Sequence, residues 1–539
     1  MPSPSHGQEE PRSPKTLVGL WQAKLRYGPD TRGSLTIAHD GGAWHAEIAG
    51  RTGDVTVADG TLRFELAGNE GAFIGRFEQA KSRIVGHWIQ PRTVTGGTRF
   101  ASPVTLRRDG RAERWRGTVD PLDDEFTMYL KVDSAADGRM RVFLRNPERN
   151  LGRYVPLTEV ERDGDRVRLV GLSDGKRFVL SEGELRDGEL SLPLRGGTFD
   201  FDKVEPDQLT DFYPRGRPGV GASYRYAVPP TLEDGWPVST PEDVGLSRAA
   251  LEQFMRTVID MPIDGVSAPE IHGVLIARHG RLVLEEYFHG EHRDKPHDTR
   301  SASKSVISTL IGAAMRSGVP LSESSSAYQV MAGGRMPAGL EPRKRALTLA
   351  HLLTMSSGLD CDDRDSASPG NEDTMLDQDR EPDYYQFILA LGMIRDPGQQ
   401  AVYCSINPHL AGGMLARASG RTLPDLFQSL VAEPLGIRRY YMNLTPTGDG
   451  YGGGGLRLLP RDFLKFSQLM LNDGVWQGRR VTSADWARRA TAPLVELRGL
   501  RYGYFWWSIE YPFRGKSVRA FFAAGNGGQL AMAIPDLDL

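Results

Sequence analysis

Arg300-Ser301-Ala302-Ser303-Lys304-Ser305-Val306-Ile307-Ser308-Thr309-Leu310-Ile311-Gly312-Ala313-Ala314-Met315 is the stretch on which the reading of this chain turns. Val306, Ile307, Leu310, Ile311, Ala314 and Met315 recur at helical spacing and form the stripe of a buried helix. Ser301 and Lys304, at i and i+3, share one face of that helix, so the ammonium reaches the hydroxyl. A helix start carries partial positive charge, which disfavours a protonated lysine and favours an oxyanion nearby. This is the setting of an activated serine nucleophile. The spacing alone is unspecific. Ser173-Asp174-Gly175-Lys176 repeats it between two strand-like runs, where Asp-Gly reads as a hairpin turn. A serine N-cap beside a solvated lysine is the competing reading of Ser301.

Outward from this helix, the pattern on both sides is mixed. Leu246 to Ile259 reads as a helix, and runs 273–277 and 281–287 form a hairpin around His279-Gly280. Helical patterns follow at 350–355, 384–391, 408–419 and 423–430, and strands return at 502–510, 519–524 and 529–534. Strands, helices, then strands indicate an α+β domain with a helical insertion over 241–539. Residues 1–16 read as a disordered tail and 207–240, rich in Pro, Gly and Tyr, as a linker. Residues 17–206 are short alternating strands broken by Gly turns, an all-β barrel or sandwich. A faint repeat divides them into β units 17–112 and 113–206. Trp21 and Trp115 open the halves, and Gly86-His87-Trp88 and Gly196-Gly197-Thr198-Phe199 lie near their ends. The aromatics there read as core.

The chain has 539 residues, too many for one ordinary domain, and a net charge of −3, which offers no basic surface for nucleic acid. No apolar run is long enough to span a bilayer, and the Pro-rich start lacks a signal-peptide core. The chain as written therefore reads as cytoplasmic, and as periplasmic or secreted if an upstream start or processing is missing. Two cysteines, Cys361 and Cys404, exclude a disulfide scaffold, and no metal cluster or cofactor motif emerges. Gly450 to Gly455 matches GxGxxG formally but lies outside any βαβ unit. His351 and His409 read as packing and helix-start residues, and the acidic run Asp360–Asp365 as a solvated loop that borders a cleft at most.

From about residue 236 to the end, the chain resembles the serine β-lactamase and penicillin-binding-protein superfamily. It is most similar to the class C-like esterase branch, which includes carboxylesterases and nylon-oligomer hydrolases. The motifs run in order: Trp236-Pro237-Val238-Ser239-Thr240-Pro241, Leu282 to Phe288, Arg300 to Ser305 and His351 to Leu359. Pro397-Gly398 before Tyr403, Gly452 to Leu458, and Ala524-Gly525-Asn526-Gly527-Gly528-Gln529 follow. The resemblance implies a β-lactamase-like antiparallel sheet flanked by helices with a helical subdomain, preceded by the all-β region. It implies a serine hydrolase in which Ser301 is acylated while Lys304 and Tyr403 handle its proton. The family's Tyr-x-Asn allows two registers in Tyr403-Cys404-Ser405-Ile406-Asn407. Leu410 and Gly412, seven and nine residues after the tyrosine as in the class C-like pattern, favour Tyr403. Ser405 then fills the usual Asn slot, which leaves open what steadies Lys304. The N–H groups of Ser301 and Asn526 are the implied oxyanion hole, with Ser405, Asn407, Gly525 and Gly527 lining the site.

The chain departs from the family at Ala523-Ala524-Gly525, where penicillin-recognising relatives carry a cation. The expected substrate is a small uncharged carboxylic ester, with an amide, a D-amino-acid peptide or a weakly hydrolysed β-lactam as alternatives. A non-catalytic relative that binds acyl ligands is the reading from another class. Arg519 and Lys516 are candidate replacements for the cation. Similar enzymes bring the segments of Cys361 and Cys404 together beside the cleft, as a bridge or as two buried thiols, and a bridge favours export. Pro535 to Leu539 stops where relatives enter another strand and a closing helix, so the chain reads as truncated.

Overall fold

A computed structural model of the chain describes residues 17–26, 28–78, 82–92, 97–110, 113–123, 125–148, 152, 155, 157–173, 175–194, 197–205, 208, 210–216 and 224–539. The expected tail 1–16 lies outside them. The N-terminal region contains a closed barrel of eight antiparallel strands: Gly19–Arg26, Glu125–Ser134, Met140–Arg145, Leu157–Asp163, Arg166–Ser173, Lys176–Arg186, Glu189–Leu194 and Gly197–Val204. The last strand closes on the first, with Trp21 opposite Lys203. Alternation along the strands sends Trp21, Leu130, Leu169, Phe199 and Phe201 into a common core. Strands from Gly33–Asp40 to Arg114–Val119 form an open sheet over a second core that holds Ile37, Phe73, Trp88 and Trp115. The aromatics of the repeat are thus core residues, as their pattern implies.

The pairing crosses the expected division at 112/113. Gly19–Arg26, the first strand of the chain, belongs to the barrel of the second half, and Arg114–Val119 pairs with Gly33–Asp40 of the first. The two halves exchange their opening strands, each led by its tryptophan. Pairing between distant segments leaves no mark on local alternation, so the sequence pattern places the boundary one strand away from where the cores divide.

In the C-terminal half, a five-stranded antiparallel sheet runs Val495–Leu497, Leu500–Tyr502, Trp507–Phe513, Lys516–Gly525, Gln529–Ala533. The hairpin Gly273–Arg278 and Arg281–Tyr287 turns at His279 and Gly280, both with positive φ. The helix Ser303–Arg316 is buried on nearly every face rather than along one stripe. Each apolar side chain it takes from water, Leu310 and Ile311 among them, contributes on the order of 1.5–3 kcal/mol. Beside it lies Ile406–Ser419, which starts two residues earlier than its pattern suggests.

The halves are joined structurally. The strand Tyr440–Leu444 adds to the N-terminal open sheet with Met442 opposite Ala101, and Tyr440 Oη lies 2.8 Å from His87 Nε2. The expected linker is no loose tether where it is described: Tyr224 donates to Glu286 at 2.6 Å and Tyr226 to the Val283 carbonyl at 2.8 Å. Among the described residues, no helix is long and apolar enough to cross a membrane.

Candidate active site

The approach to Ser301 is a tight step. Arg300 has φ +51°, a left-handed value that side chains rarely adopt, and its N–H donates to Asp298 Oδ1 at 2.9 Å. Thr299 anchors the segment by donating to the Leu456 carbonyl at 2.7 Å. Ser303 donates to the Arg300 carbonyl at 2.7 Å and accepts from Leu456 N–H at 3.1 Å. Ser301, half-buried, is left to face Lys304.

Lys304 is 1% exposed, which removes the reading of a solvated lysine beside a capping serine. Its Nζ donates to Ser301 Oγ at 2.9 Å and also to the Gly453 carbonyl. It sits 5.1 Å from the centroid of the Tyr403 ring. Burial pulls the Lys304 pKa down, but Tyr403, Glu372 and Asp363 outweigh it and the net shift is upward. The expectation that the helix start favours a neutral lysine is therefore corrected. Tyr403, Glu372 and Asp363 favour the ammonium more than burial disfavours it.

Those groups form a part-buried chain. Asp363 Oδ2 accepts from the Ser405 N–H at 2.8 Å and from its hydroxyl at 2.7 Å. Asp363 Oδ1 accepts from the Glu372 N–H at 3.2 Å, and Glu372 Oε1 accepts from Tyr451 Oη at 2.6 Å. Burial, and then the charge of Glu372, raise the Asp363 pKa. The loop Asp360–Asp365 is thus not simply solvated, because Asp363 enters the site region. Ser405 is turned to Asp363, and Asn407 places its amide 3.7 Å from Met355 Sδ. Of the two candidates, Tyr403 has its ring near Lys304, and Ser405 is bonded to Asp363. Gly453 takes the place left open for a group that steadies Lys304. The glycine-rich run packs closely on the neighbouring helix: a Cβ on Gly452 would fall 2.6 Å from the Pro408 carbonyl oxygen.

Tyr403 stacks on Trp507 at 5.9 Å between centroids, and the Arg498 guanidinium lies 4.1 Å over the tyrosine ring. Cys361 and Cys404 are bonded, with Cα atoms 6.0 Å apart, which ties the Asp363 loop to the segment of Tyr403 and Ser405. Gly525 ends its strand hard against the nucleophile segment, since a Cβ there would lie 2.3 Å from the Thr299 carbonyl oxygen. Asn526 follows directly, and Gly527 and Gly528 turn the chain at φ +84° and +85°. Neither proposed replacement cation reaches this end of the strand. Arg519 donates to the Thr491 carbonyl at 2.8 Å, and Lys516 begins the same strand, roughly 30 Å away at ~3.4 Å per residue. Arg498, in the turn between two short strands, is the cation beside Tyr403 that sequence reasoning missed. Asp363, Gly453 and Trp507 were missed as well, and only Ser405 in the Asn slot hinted at a changed partner. His351 caps its own helix by accepting from Thr348 N–H at 3.2 Å, and His409 stacks on Tyr385 at 4.5 Å.

Residues 251–539, just over half of the chain, match the Beta-lactamase family. The chain belongs to this family. Its members are serine hydrolases. A 6-aminohexanoate-dimer hydrolase of Paenarthrobacter ureafaciens is 26% identical over 229 residues, 40% of this chain and 56% of the relative. The chain thus spans little more than half the length of that relative. Among solved structures, a putative 6-aminohexanoate-dimer hydrolase from Bacillus anthracis is 19% identical, with TM-score 0.41 over 50% of this chain and 71% of the other. A family VIII carboxylesterase is 17% identical, with TM-score 0.36 over 49% and 86%.

Proposed function

We propose that this chain hydrolyses small carboxylic esters through an acyl-enzyme on Ser301. The observation that carries the reading is the buried Lys304 side chain, 2.9 Å from Ser301 Oγ and 5.1 Å from the Tyr403 ring centroid. Ser301 Oγ attacks the carbonyl carbon. Lys304 and Tyr403 accept the hydroxyl proton as a unit that enters the step one proton short of ammonium plus phenol, with the amine holding both oxygens in line. The backbone N–H groups of Ser301 and Asn526 receive the developing oxyanion. Tyr403 returns the proton to the leaving alkoxide, and water then attacks the acyl carbon by the same route in reverse. Gly525 and Gly527 leave the strand edge open to the acyl group, and Ser405 acts through Asp363. The Cys361–Cys404 bond favours an oxidising compartment.

The test is p-nitrophenyl butyrate turnover by the wild type and Ser301→Ala, with a fluorophosphonate probe mapped to its peptide. Label on Ser301 and loss of turnover in the variant are expected. Turnover that survives the substitution, or a wild type with neither turnover nor label, refutes the reading and leaves a binding relative.

A second reading has its own support. Arg498 offers a cation 4.1 Å over Tyr403, and one relative is named a 6-aminohexanoate-dimer hydrolase. An amide or ester that bears a carboxylate would find its partner there.

A further inference from the structure

A cleft of about 560 Å³ opens where the hairpin Gly273–Arg278 and Arg281–Tyr287 meets the segment leading to Ser301. Its walls include Leu275, Leu458 and Gly527, and three side chains of another kind. His272 precedes the first hairpin strand, Glu291 follows the second, and His297 lies in the short strand His297–Asp298. One ring nitrogen from each histidine and one oxygen of Glu291 lie within 4.8 Å of one another. His297 Nδ1 is 3.7 Å from Glu291 Oε2, and the two rings are 5.0 Å apart between centroids.

His272 Nε2 is the telling atom. It is shielded from solvent and has no hydrogen-bond partner among the described residues. Buried polar atoms almost always have partners, and an orphaned one carries a desolvation penalty. Glu291 is prepared on its far side, where Oε1 accepts from Lys295 Nζ at 2.7 Å. That contact orients the carboxylate and leaves Oε2 for another partner.

We propose that His272, His297 and Glu291 bind one divalent transition-metal ion, with zinc the best match to the donor set. Two imidazoles and one carboxylate suit zinc, at distances of about 2.0–2.2 Å. Tetrahedral ligands at that radius are roughly 3.4 Å apart, so the 3.7 Å between His297 and Glu291 closes by a few tenths. Three protein ligands leave a fourth position to water in the cleft. The ion ties the hairpin to the strand that leads into Ser301, a bracing role separate from acyl transfer. The sequence hides the set because its members fall on three different elements with no recognised ligand spacing.

Untagged full-length protein, stripped with EDTA and dialysed, is titrated with Zn²⁺ by calorimetry and with Co²⁺ by absorption. One ion per chain, four-coordinate Co²⁺ bands and Zn²⁺ displacement of Co²⁺ are expected. His272→Ala, His297→Ala and Glu291→Gln each weaken binding by at least ~tenfold. No binding, or equal binding by all three variants, overturns the proposal. Should the variants not fold, wild-type crystals grown with Zn²⁺ decide. An anomalous peak between the three side chains supports the site, and its absence overturns it.

Discussion

Ser173 and Lys176 have the same spacing as Ser301 and Lys304, and the two pairs do opposite things. In the barrel, Ser173 ends one strand and Lys176 begins the next, directly opposite in register, and both are exposed. In the hydrolase half, one helical turn delivers Lys304 to Ser301 at 2.9 Å, buried, with Gly453 and Tyr403 as further partners. Spacing supplies reach only within a helix. Reactivity comes from burial and from the partners the fold adds.

The sharpest way to break this contrast is to substitute both serines. Ser301→Ala should lower ester turnover about 10⁴-fold or more, whereas Ser173→Ala should leave kcat/KM within about twofold. Comparable losses in the two variants would erase the distinction. The lysines give the next largest difference. Lys304→Ala and Tyr403→Phe should each reduce kcat by roughly 10²–10⁴, the range for proton transfer, while Lys176→Ala should not change it. Losses under tenfold for both site variants would place the base elsewhere.

The two regions also differ in covalent support, because the only two cysteines of the chain lie beside the site copy. Their bond spans a sequence separation of 43 residues, for which loop closure allows up to ~4 kcal/mol. Cys361→Ser with Cys404→Ser should lower the denaturation midpoint. It should also speed amide exchange around Asp363 and Tyr403 while leaving the barrel hairpin at 166–186 unchanged. Uniform loss of protection across both regions would contradict that localisation. A smaller effect separates the substrate readings. Arg498→Ala should reduce kcat/KM for a carboxylate-bearing ester by roughly tenfold to a hundredfold, the range for a charge-assisted hydrogen bond, and leave a neutral ester nearly unaffected. Equal changes on both substrates would assign Arg498 to Tyr403 packing alone.

What the sequence made legible follows the same division. That Ser301, Lys304 and Tyr403 lie together was readable because a helical turn and family motifs place them. Arg498, Asp363, Gly453 and Trp507 were not, because each arrives from a separate loop or strand through tertiary contact. In the N-terminal region, alternation announced strands and buried tryptophans but not which half each opening strand joins. Pairing at long range leaves local periodicity unchanged.

Asp363→Asn probes the smallest term, the carboxylate near Lys304. Burial and the charge of Glu372 raise the Asp363 pKa above its ordinary value of 3.8. In the fold this carboxyl therefore holds its proton at pH values where the unfolded chain has released it. Stability falls as pH rises from 3.8 through the raised value. Asn keeps an acceptor for the Ser405 N–H and hydroxyl but has no proton to lose, so the variant should lack this part of the slope. Wild type and variant should draw apart in Tm as pH rises through that window, with the variant gaining. The same carboxylate is among the charges that raise the Lys304 pKa. Stability from that upward shift is present below the ordinary lysine value and lost as pH rises through the folded one. Without Asp363 the shift shrinks, so the alkaline loss of ester turnover should move to lower pH, by about one unit or less. An alkaline limb that stays in place, with Tm curves parallel at every pH, would mean that Asp363 only shapes the loop and that Lys304 owes its charge to Tyr403 and Glu372.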